Sequence, residues 1–280
     1  MTEKTENEIK RVSFCGTAGS FSEAAAKRIF PSAILLPCDS FKEAYEKTLF
    51  GEADRTVLPI ENSYAGEVAS VTDEIYRGKL LVQGVYSMRV VQNLIGIKGA
   101  TLDGVLSVIS HPQALSQCAE YIAKHRFREI TSENTAFAAK TVANLKDPTV
   151  AAIAGRECAE LYGLDLLEEN ISSSSENATK FAVLGKENVL EKAKENCILF
   201  FAVRDVSGAL AAVLGAIAKG GYNLQSLRSR PLKKKAWQYY FYAEIEGGAR
   251  GNKEKELLGD LAPYCTDAKI AGRFVPDQEI

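Results

Sequence analysis

The chain has little of what metal and redox centres are made from. Its 280 residues include two histidines, His111 and His125, one tryptophan, and six cysteines without a C-x-x-C pair. Two imidazoles and scattered thiols argue against a transition-metal site or structural zinc. The cysteines (Cys15, Cys38, Cys118, Cys158, Cys197 and Cys265) mostly lie in or beside apolar segments, where a reduced thiol acts as a small hydrophobe. That usage points to a cytoplasmic chain without disulfides. An excess of one charge is missing too: 34 basic against 36 acidic residues give a formal net charge of −2. At that balance no electrostatic case exists for binding nucleic acid or a membrane surface. No apolar run approaches the roughly 20 residues that cross a bilayer, and the opening "MTEKTENEIK" lacks the apolar core of a secretory signal. What is there, 46% hydrophobic and 25% charged residues, describes an ordinary soluble globular chain long enough for about two domains.

The first part alternates strand and helix patterns. "RVSFC", "AILLP" and "RTVLPI" read as strands. "FSEAAAKRIF" and "SFKEAYEKTLFG" read as helices, each opened by a Ser-x-x-Glu capping box (Ser20 with Glu23, Ser40 with Glu43). A second unit follows: extended chain in "KLLVQGVYSMRVVQNLIG", the strand "GVLSVIS", one helix over "PQALSQCAEYIAKH", "FREIT", the helix "TAFAAKTVANL", the strand "TVAAIA" and the helix "RECAELYG". Two such units predict doubly wound lobes, and ligands bind outside the carboxyl ends of strands in such sheets. After a polar linker, "KENVLEKAKEN", the chain reads β-α-β-β-α-β, a ferredoxin-like order, with Leu210, Val213, Leu214 and Ile217 marking one helix face.

The strand-end rule selects four stretches. "GTAGSFS" offers Gly16, Gly19, Ser20 and Ser22 at a helix start, where free N–H groups favour an anion; a glycine turn with a simple cap is the plain alternative. Asp39 follows Gly19 by about twenty residues, but the three-glycine spacing of a dinucleotide fingerprint is missing. "PIENSYAGEV" sets Glu61, Asn62 and Ser63 directly after an apolar strand. In "SHPQALSQC", Pro112 suits a first helical turn, which puts Ser110 and His111 at its entry, and Gln113 and Gln117 share one face. His111 reads as a cap rather than a base, since no Ser, Cys or Asp is placed to complete a triad. His125, in "KHRFR", reads as a surface residue. "NTAFAA" contributes Thr135, and "NATKF" carries Asn177, Thr179, Lys180 and Phe181 into the strand "FAVLG".

Taken in order, "GTAGSFS", "PIENSYAGEV", "SHPQALSQC", "NTAFAA" and "NATKF", with a Gly-Ala-Leu turn behind them, resemble the prephenate dehydratase family with a C-terminal ACT regulatory domain. The resemblance runs over nearly the whole chain. It implies an α/β fold of two doubly wound lobes, like type 2 periplasmic binding proteins, forming a cleft in residues 10–187. Lobe 1 covers about 10–82 and 170–187, lobe 2 about 83–169, and a βαββαβ ACT domain covers 195–276. It also implies a reaction without cofactor or metal: prephenate loses its ring hydroxyl as water and its ring carboxylate as CO2 to give phenylpyruvate, in phenylalanine biosynthesis. On the matching motifs, Thr179 donates to the departing hydroxyl, with Asn62, Ser110, Gln117 and Glu61 as further catalytic groups. Ser20, Ser22, Ser63, Gln113, Thr135, Asn177, Lys180 and Phe181 then hold substrate, with Ser110 and the glutamines facing it.

Several positions depart from the family's motifs. Lys180 stands where the family carries Arg, keeping a charge but losing the bidentate fork. Thr17 replaces a Pro and Ser20 a Thr, while Val85 and Gln92 replace a common Glu and His, and Ser173 replaces an acidic residue. Arogenate, with an amino group in place of the ketone, is therefore the nearest alternative substrate. In the ACT domain the resemblance places phenylalanine, as allosteric effector, against Gly208, Ala209, Leu210, Asn223, Leu224, Ser229, Arg230 and Pro231, although Arg228 replaces a Glu. A homodimer or homotetramer is implied. The rival readings are a non-catalytic two-lobed small-molecule binding protein, a decarboxylase that expels no water, and a C-terminal domain that only dimerises.

Overall fold

The computed structural model describes residues 9–174, 176–187, 196–232, 238–247, 252–276 and 278–280. Its elements run in the order β1 (Arg11–Cys15), α1 (Phe21–Ile29), β2 (Ile34–Cys38), α2 (Phe41–Phe50), β3 (Arg55–Asn62), β4 (Gly66–Glu67), α3 (Ala69–Arg77), β5 (Leu81–Arg89) and β6 (Asn93–Gly96). Then come β7 (Ser107–Ser110), α4 (Pro112–Gln117), α5 (Ala119–His125), β8 (Arg128–Thr131), α6 (Thr135–Leu145), β9 (Val150–Ala154), α7 (Arg156–Tyr162), β10 (Asp165–Glu168) and β11 (Ala178–Gly185). The last part holds β12 (Asn196–Val203), α8 (Ala209–Lys219), β13 (Asn223–Pro231), β14 (Tyr239–Glu246), α9 (Asn252–Leu261), β15 (Cys265–Phe274) and β16 (Gln278–Glu279). Two compact units result: unit I from residues 9–68, 87–181 and 279–280, and unit II from 69–86 and the described residues of 182–278.

Unit I contains two sheets. In the first, β1 pairs in parallel with both β2 and β3. The serines read as caps do that work: Ser20 Oγ accepts from Glu23 N and Ser40 Oγ from Glu43 N. Each Glu then reaches one residue further back than a capping box requires, to Gly19 N at 2.7 Å and Asp39 N at 2.9 Å. The second sheet has the order β10-β6-β9-β7-β8, with β7 parallel to β8 and β9, and β6 antiparallel to β9 and β10. Its inner strands β6, β9 and β7 are mostly buried on both sides because both sides are covered, while the edge strands β8 and β10 carry exposed charged residues. Along β9, Ala151 and Ile153 join a core with Leu94, Val108 and Leu115, while Ala152 and Ala154 join another with Ile95, Ala139 and Val142. The sheet is therefore mixed rather than wholly parallel, since β6 alone runs against the other four strands.

In unit II the order β12-α8-β13-β14-α9-β15 builds an antiparallel sheet, β13-β14-β12-β15. Strand alternation splits its side chains. Leu199 and Phe201 pack with Val213, Ile217, Leu257 and Leu261 of the two helices. Phe200, Tyr240 and Tyr242 face the other way, where Tyr76 of α3 stacks on Tyr240 with ring centroids 4.0 Å apart. Asp73 of α3 accepts from Tyr240 Oη at 2.6 Å and from Arg230 Nε at 3.0 Å. Lys269 donates to the carbonyls of Ile75 and Gly78 at the end of the same helix.

Four differences from the sequence reading stand out. Helix α3 has no counterpart there, because its buried face carries Thr72 and Asp73 beside Val71 and Ile75 and so does not read as apolar. Residues 69–86 and 182–187 group with the C-terminal strands, whereas the lobe bounds expected from the sequence include them. The single helix expected over 112–125 breaks at Cys118 (φ −108°, ψ 13°), where Ser173 N takes the carbonyl of Gln117. Finally, β11 starts at Ala178, so Thr179 belongs to the strand instead of leading into it. Most of the linker lies outside the described residues.

Candidate active site

Asn62 ends β3, and its side chain organises the turn that follows. The Oδ1 atom accepts from Tyr64 N at 3.0 Å and Ala65 N at 2.9 Å, and from Gln113 Nε2 at 3.3 Å. An oxygen held by two backbone donors fixes which way the amide faces. Its nitrogen must therefore point at Asn177 Oδ1 (2.9 Å), Thr179 Oγ1 (3.0 Å) and the carbonyl of Ala178 (3.2 Å). The orientation passes on from amide to amide. Asn177 Nδ2 donates to the carbonyl of Val90 at 3.3 Å and to Gln117 Oε1 at 3.1 Å. Gln92 Nε2 reaches the same Gln117 oxygen at 3.4 Å. Because Asn62 is a donor to Thr179, the hydroxyl of Thr179 accepts there and keeps its own hydrogen to give away.

That hydroxyl faces a cavity of about 730 Å³ within unit I. Ser20, Ser22, Asn62, Gln113, Gln117, Thr135, Thr179 and Phe181 all line it. Three helices of nine residues or more begin at its wall: α1 with its cap Ser20, α2 with Asp39 and Phe41 either side of its cap Ser40, and α6 with its cap Asn134. Their first-turn N–H groups and aligned dipoles favour an anion. His111 caps α4, its Nδ1 accepting from Gln113 N at 3.2 Å, which leaves Nε2 to carry the ring hydrogen. The cap reading of His111 and the structure agree on this contact, and the ring also lines the cavity.

Five expected site residues lie elsewhere. Ser110 is fully buried and donates to the carbonyl of Ile153 at 2.6 Å, tying β7 to β9, so it does not face the cavity. Lys180 is half exposed and its Nζ sits 3.7 Å from Glu61 Oε2. Neither residue lines the cavity, because successive side chains of a strand point to opposite faces: Thr179 and Phe181 look inward on β11, and Asn62 does on β3, so Lys180 and Glu61 look away. Ser63 clamps the loop before β11, donating to the carbonyl of Glu176 and accepting from Ala178 N. Asn177 supports Asn62 and Gln117 from behind, on the wall of a neighbouring cavity of about 590 Å³.

Sequence reasoning alone passes over Cys15, Cys38, Gln92, Glu133 and Asn134 as lining residues. Cys15 and Cys38 end β1 and β2, so the strand-end rule points to their place without marking the thiols. Burial raises both thiols, to about 11 for Cys38, helped by the charge of Glu43, and for Cys15 by Asp39 and Glu43. They are neutral at pH 7 and are not activated nucleophiles. No lysine or arginine is among the described residues lining the cavity, whereas Asp39 and Glu133 are. Among the described residues, no group of three or more His, Cys, Asp or Glu side chains is arranged to hold a metal ion, and no helix is long and apolar enough to cross a membrane.

Of the expected effector residues, Gly208 takes φ +81° as the cap of α8, Ala209 is buried, and Leu210 and Leu224 pack on the core between sheet and helices. Asn223 donates to Glu246, and Ser229 and Pro231 are exposed. Arg230 is held by Asp73 and Tyr240, and Arg228 lies over the ring of Tyr242, 5.3 Å from its centroid.

A family model described as prephenate dehydratase matches residues 12–189. A prephenate dehydratase of Methanocaldococcus jannaschii is 34% identical, over 95% of this chain and 98% of its own length. The chloroplastic arogenate dehydratase/prephenate dehydratase 1 of Arabidopsis thaliana is 30% identical, over 95% of this chain and 72% of its own. Among solved structures, a prephenate dehydratase from Arthrobacter aurescens in complex with L-Phe superimposes with a TM-score of 0.86 at 25% identity, covering 95% of this chain and 89% of that one. GqqA, described as a novel type of quorum quenching acylase, gives the same TM-score at 26% identity, covering 96% of this chain and 98% of that one.

Proposed function

The chain belongs to the prephenate dehydratase family and is a carbon–oxygen lyase, and from that premise we propose that the cavity beside Thr179 converts prephenate to phenylpyruvate, water and CO2. The observation that carries this reading is the hydrogen bond from Asn62 Nδ2 to Thr179 Oγ1. It turns an otherwise indifferent hydroxyl into a donor with a defined direction. Breakage of the ring C–O bond places negative charge on the departing oxygen, and a fixed donor to such charge is typically worth about 2.7–4 kcal/mol. The electrons come from the bond between ring and carboxylate as CO2 leaves, and the ring becomes aromatic. One proton is taken up overall, so Thr179 directs a proton to the leaving oxygen and regains it from solvent. The substrate's carboxylates are matched by the helix starts at Ser20, Ser40 and Asn134, the described lining holding no lysine or arginine.

The acylase likeness does not extend the reading. Covalent amide hydrolysis through Cys15, Cys38 or Ser110 is disfavoured, because both thiols are raised and Ser110 is committed to Ile153 outside the cavity.

We read the βαββαβ part of unit II as an ACT domain that senses phenylalanine, in a homodimer or homotetramer in the cytoplasm. Its element order, the turn at Gly208 and the L-Phe complex of the Arthrobacter relative support this. The test of the catalytic reading is direct. Purified protein incubated with prephenate should form phenylpyruvate and release CO2; release no faster than in buffer alone would end it.

A further inference from the structure

Two cysteines meet at the wall of the cavity. Cys15 ends β1 and Cys38 ends β2, and the parallel register sets them opposite each other. Residues paired in this way point to the same face of a sheet, and both side chains line the cavity. Neighbouring strands lie about 4.7–4.9 Å apart, inside the Cα separation of about 4.4–6.8 Å that a disulfide spans. The thiols are near enough for the charge of Cys15 to bear on Cys38, and Glu43 in the first turn of α2 bears on both. Among the described residues no other two of the six cysteines are register partners. Cys118 and Cys158 lie in separate cores of the second sheet, while Cys197 and Cys265 pair with Arg273 and Val203 across β12 and β15.

We propose that Cys15 and Cys38 form a modification site, a reversible disulfide that a peroxide introduces into the wall of the cavity and that lowers turnover there. One sulfur, as thiolate, attacks a peroxide oxygen; the O–O bond breaks, the far oxygen leaves as water and a sulfenic acid remains. The second sulfur attacks that sulfenic sulfur, the S–S bond forms, and the S–O oxygen departs as water. Two thiols have then lost two electrons and two protons, and one hydrogen peroxide has become two waters. Burial, with Asp39 and Glu43 nearby, keeps the resting thiols protonated, so the pair reacts slowly and needs an oxidant in excess. A transient bridge is the kind that a reducing cell interior permits. Its effect passes through the neighbouring chain. Gly16 N donates to the carbonyl of Cys38 at 3.0 Å, and from these strand ends the chain runs directly to the starts of α1 and α2. Drawing the strand ends together shifts both helix starts against a bound anion, and misplacement by about 1 Å can cost roughly 10²-fold. The bridge itself is independent of the dehydratase reading above; its effect on turnover rests on that reading.

The experiment treats the full chain with hydrogen peroxide at pH 8, blocks the remaining thiols in denaturant, and maps the peptides by mass. It also measures kcat/KM for prephenate before treatment, after it, and after dithiothreitol. A peptide pair joined through Cys15 and Cys38 should appear, kcat/KM should fall at least tenfold, and dithiothreitol should restore most of it. In Cys15→Ser and Cys38→Ser the same treatment should change kcat/KM less than twofold. Absence of the joined pair, a joined pair with unchanged turnover, or an equal loss in either serine variant would overturn the proposal. The peptide map of the unaltered chain needs no variant, so it decides even where neither variant folds. If the untreated chain turns over no prephenate, the dehydratase reading falls, and the map alone judges the bridge.

Discussion

Asn62 Nδ2 stands 3.0 Å from Thr179 Oγ1, although the two residues are 117 positions apart in sequence. The same amide's oxygen is held by the N–H groups of Tyr64 and Ala65, so the direction of the contact is set by backbone and cannot reverse. Removing the hydroxyl tests its consequence most simply. We expect Thr179→Val to lower kcat on prephenate by roughly 10²–10³-fold, the range one placed donor supplies, and Thr179→Ser to recover part of it. Near-normal turnover in the valine variant would take Thr179 out of the mechanism.

Asn62→Asp separates orientation from mere polarity. A carboxylate at this place accepts only, so it would claim the hydrogen of Thr179 and face Asn177 Oδ1 with a second acceptor. We expect a loss of kcat comparable to that of Thr179→Val, and little further loss when both changes are combined, because the two residues act as one unit. Losses that multiply in the double variant would show that they act separately.

Lys180 provides the opposite kind of test. Its ammonium is near Glu61 and on the face of β11 away from Thr179. Exposed pairs of this kind contribute about 0–1 kcal/mol. We therefore expect Lys180→Met to change KM for prephenate less than about threefold, this pair being worth so little. A rise of tenfold or more in KM would show that the cation reaches the substrate after all.

How far the residue string foretells the site depends on the distance over which each feature is determined. The caps at Ser20, Ser40 and His111 are local, and residue type announces them. The inward direction of Thr179 and Phe181 follows from alternation, and the same rule turns Lys180 outward once the strand is known to begin at Ala178. The bond of Ser110 to Ile153 spans 43 positions, and the contact of Gln92 with Gln117 spans 25; no local pattern encodes either. Helix α3 was hidden for a related reason: its buried Asp73 is explained by Arg230 and Tyr240, more than 150 residues further on. Motifs show which residues gather, and tertiary pairing decides which of them face the ligand.

The buried thiols give a window in pH. Burial raises Cys38 to about 11 and both Cys118 and Cys158 to about 12 from an ordinary value near 9. A raised folded value favours the neutral thiol, so this contribution to stability is complete below pH 9 and is lost as pH climbs from 9 through 11 to 12. We expect the melting temperature to fall over that range. We also expect Cys118 and Cys158 to resist alkylation at pH 8 unless denaturant is added; fast labelling of the native protein at pH 8 would contradict their burial.

Asp73, with a side chain 3% exposed, accepts from Arg230, whose side chain is 14% exposed, and from Tyr240, which the same burial and the neighbouring carboxylate push well above its ordinary value. Removing one partner of a buried ion pair strands the other, at a cost of about 3–5 kcal/mol. Asp73→Asn should therefore lower the melting temperature by about 6–20 °C, at 2–4 °C per kcal/mol for a chain of this class. Arg230→Met alone should also destabilise, though less, because Asp73 keeps the half-exposed Arg77 3.5 Å away; the double change should recover part of the loss of Asp73→Asn, since the buried guanidinium is then no longer left without its carboxylate. Additive losses would mean that Asp73 and Arg230 do not stabilise one another. The same variants bear on regulation, because Arg230 was also expected among the phenylalanine contacts. If phenylalanine raises the melting temperature of the intact chain but not of Arg230→Met, while Asp73→Asn still responds, the guanidinium serves the effector as well as the helix. Equal shifts in all three would confine Arg230 to holding α3 on its sheet.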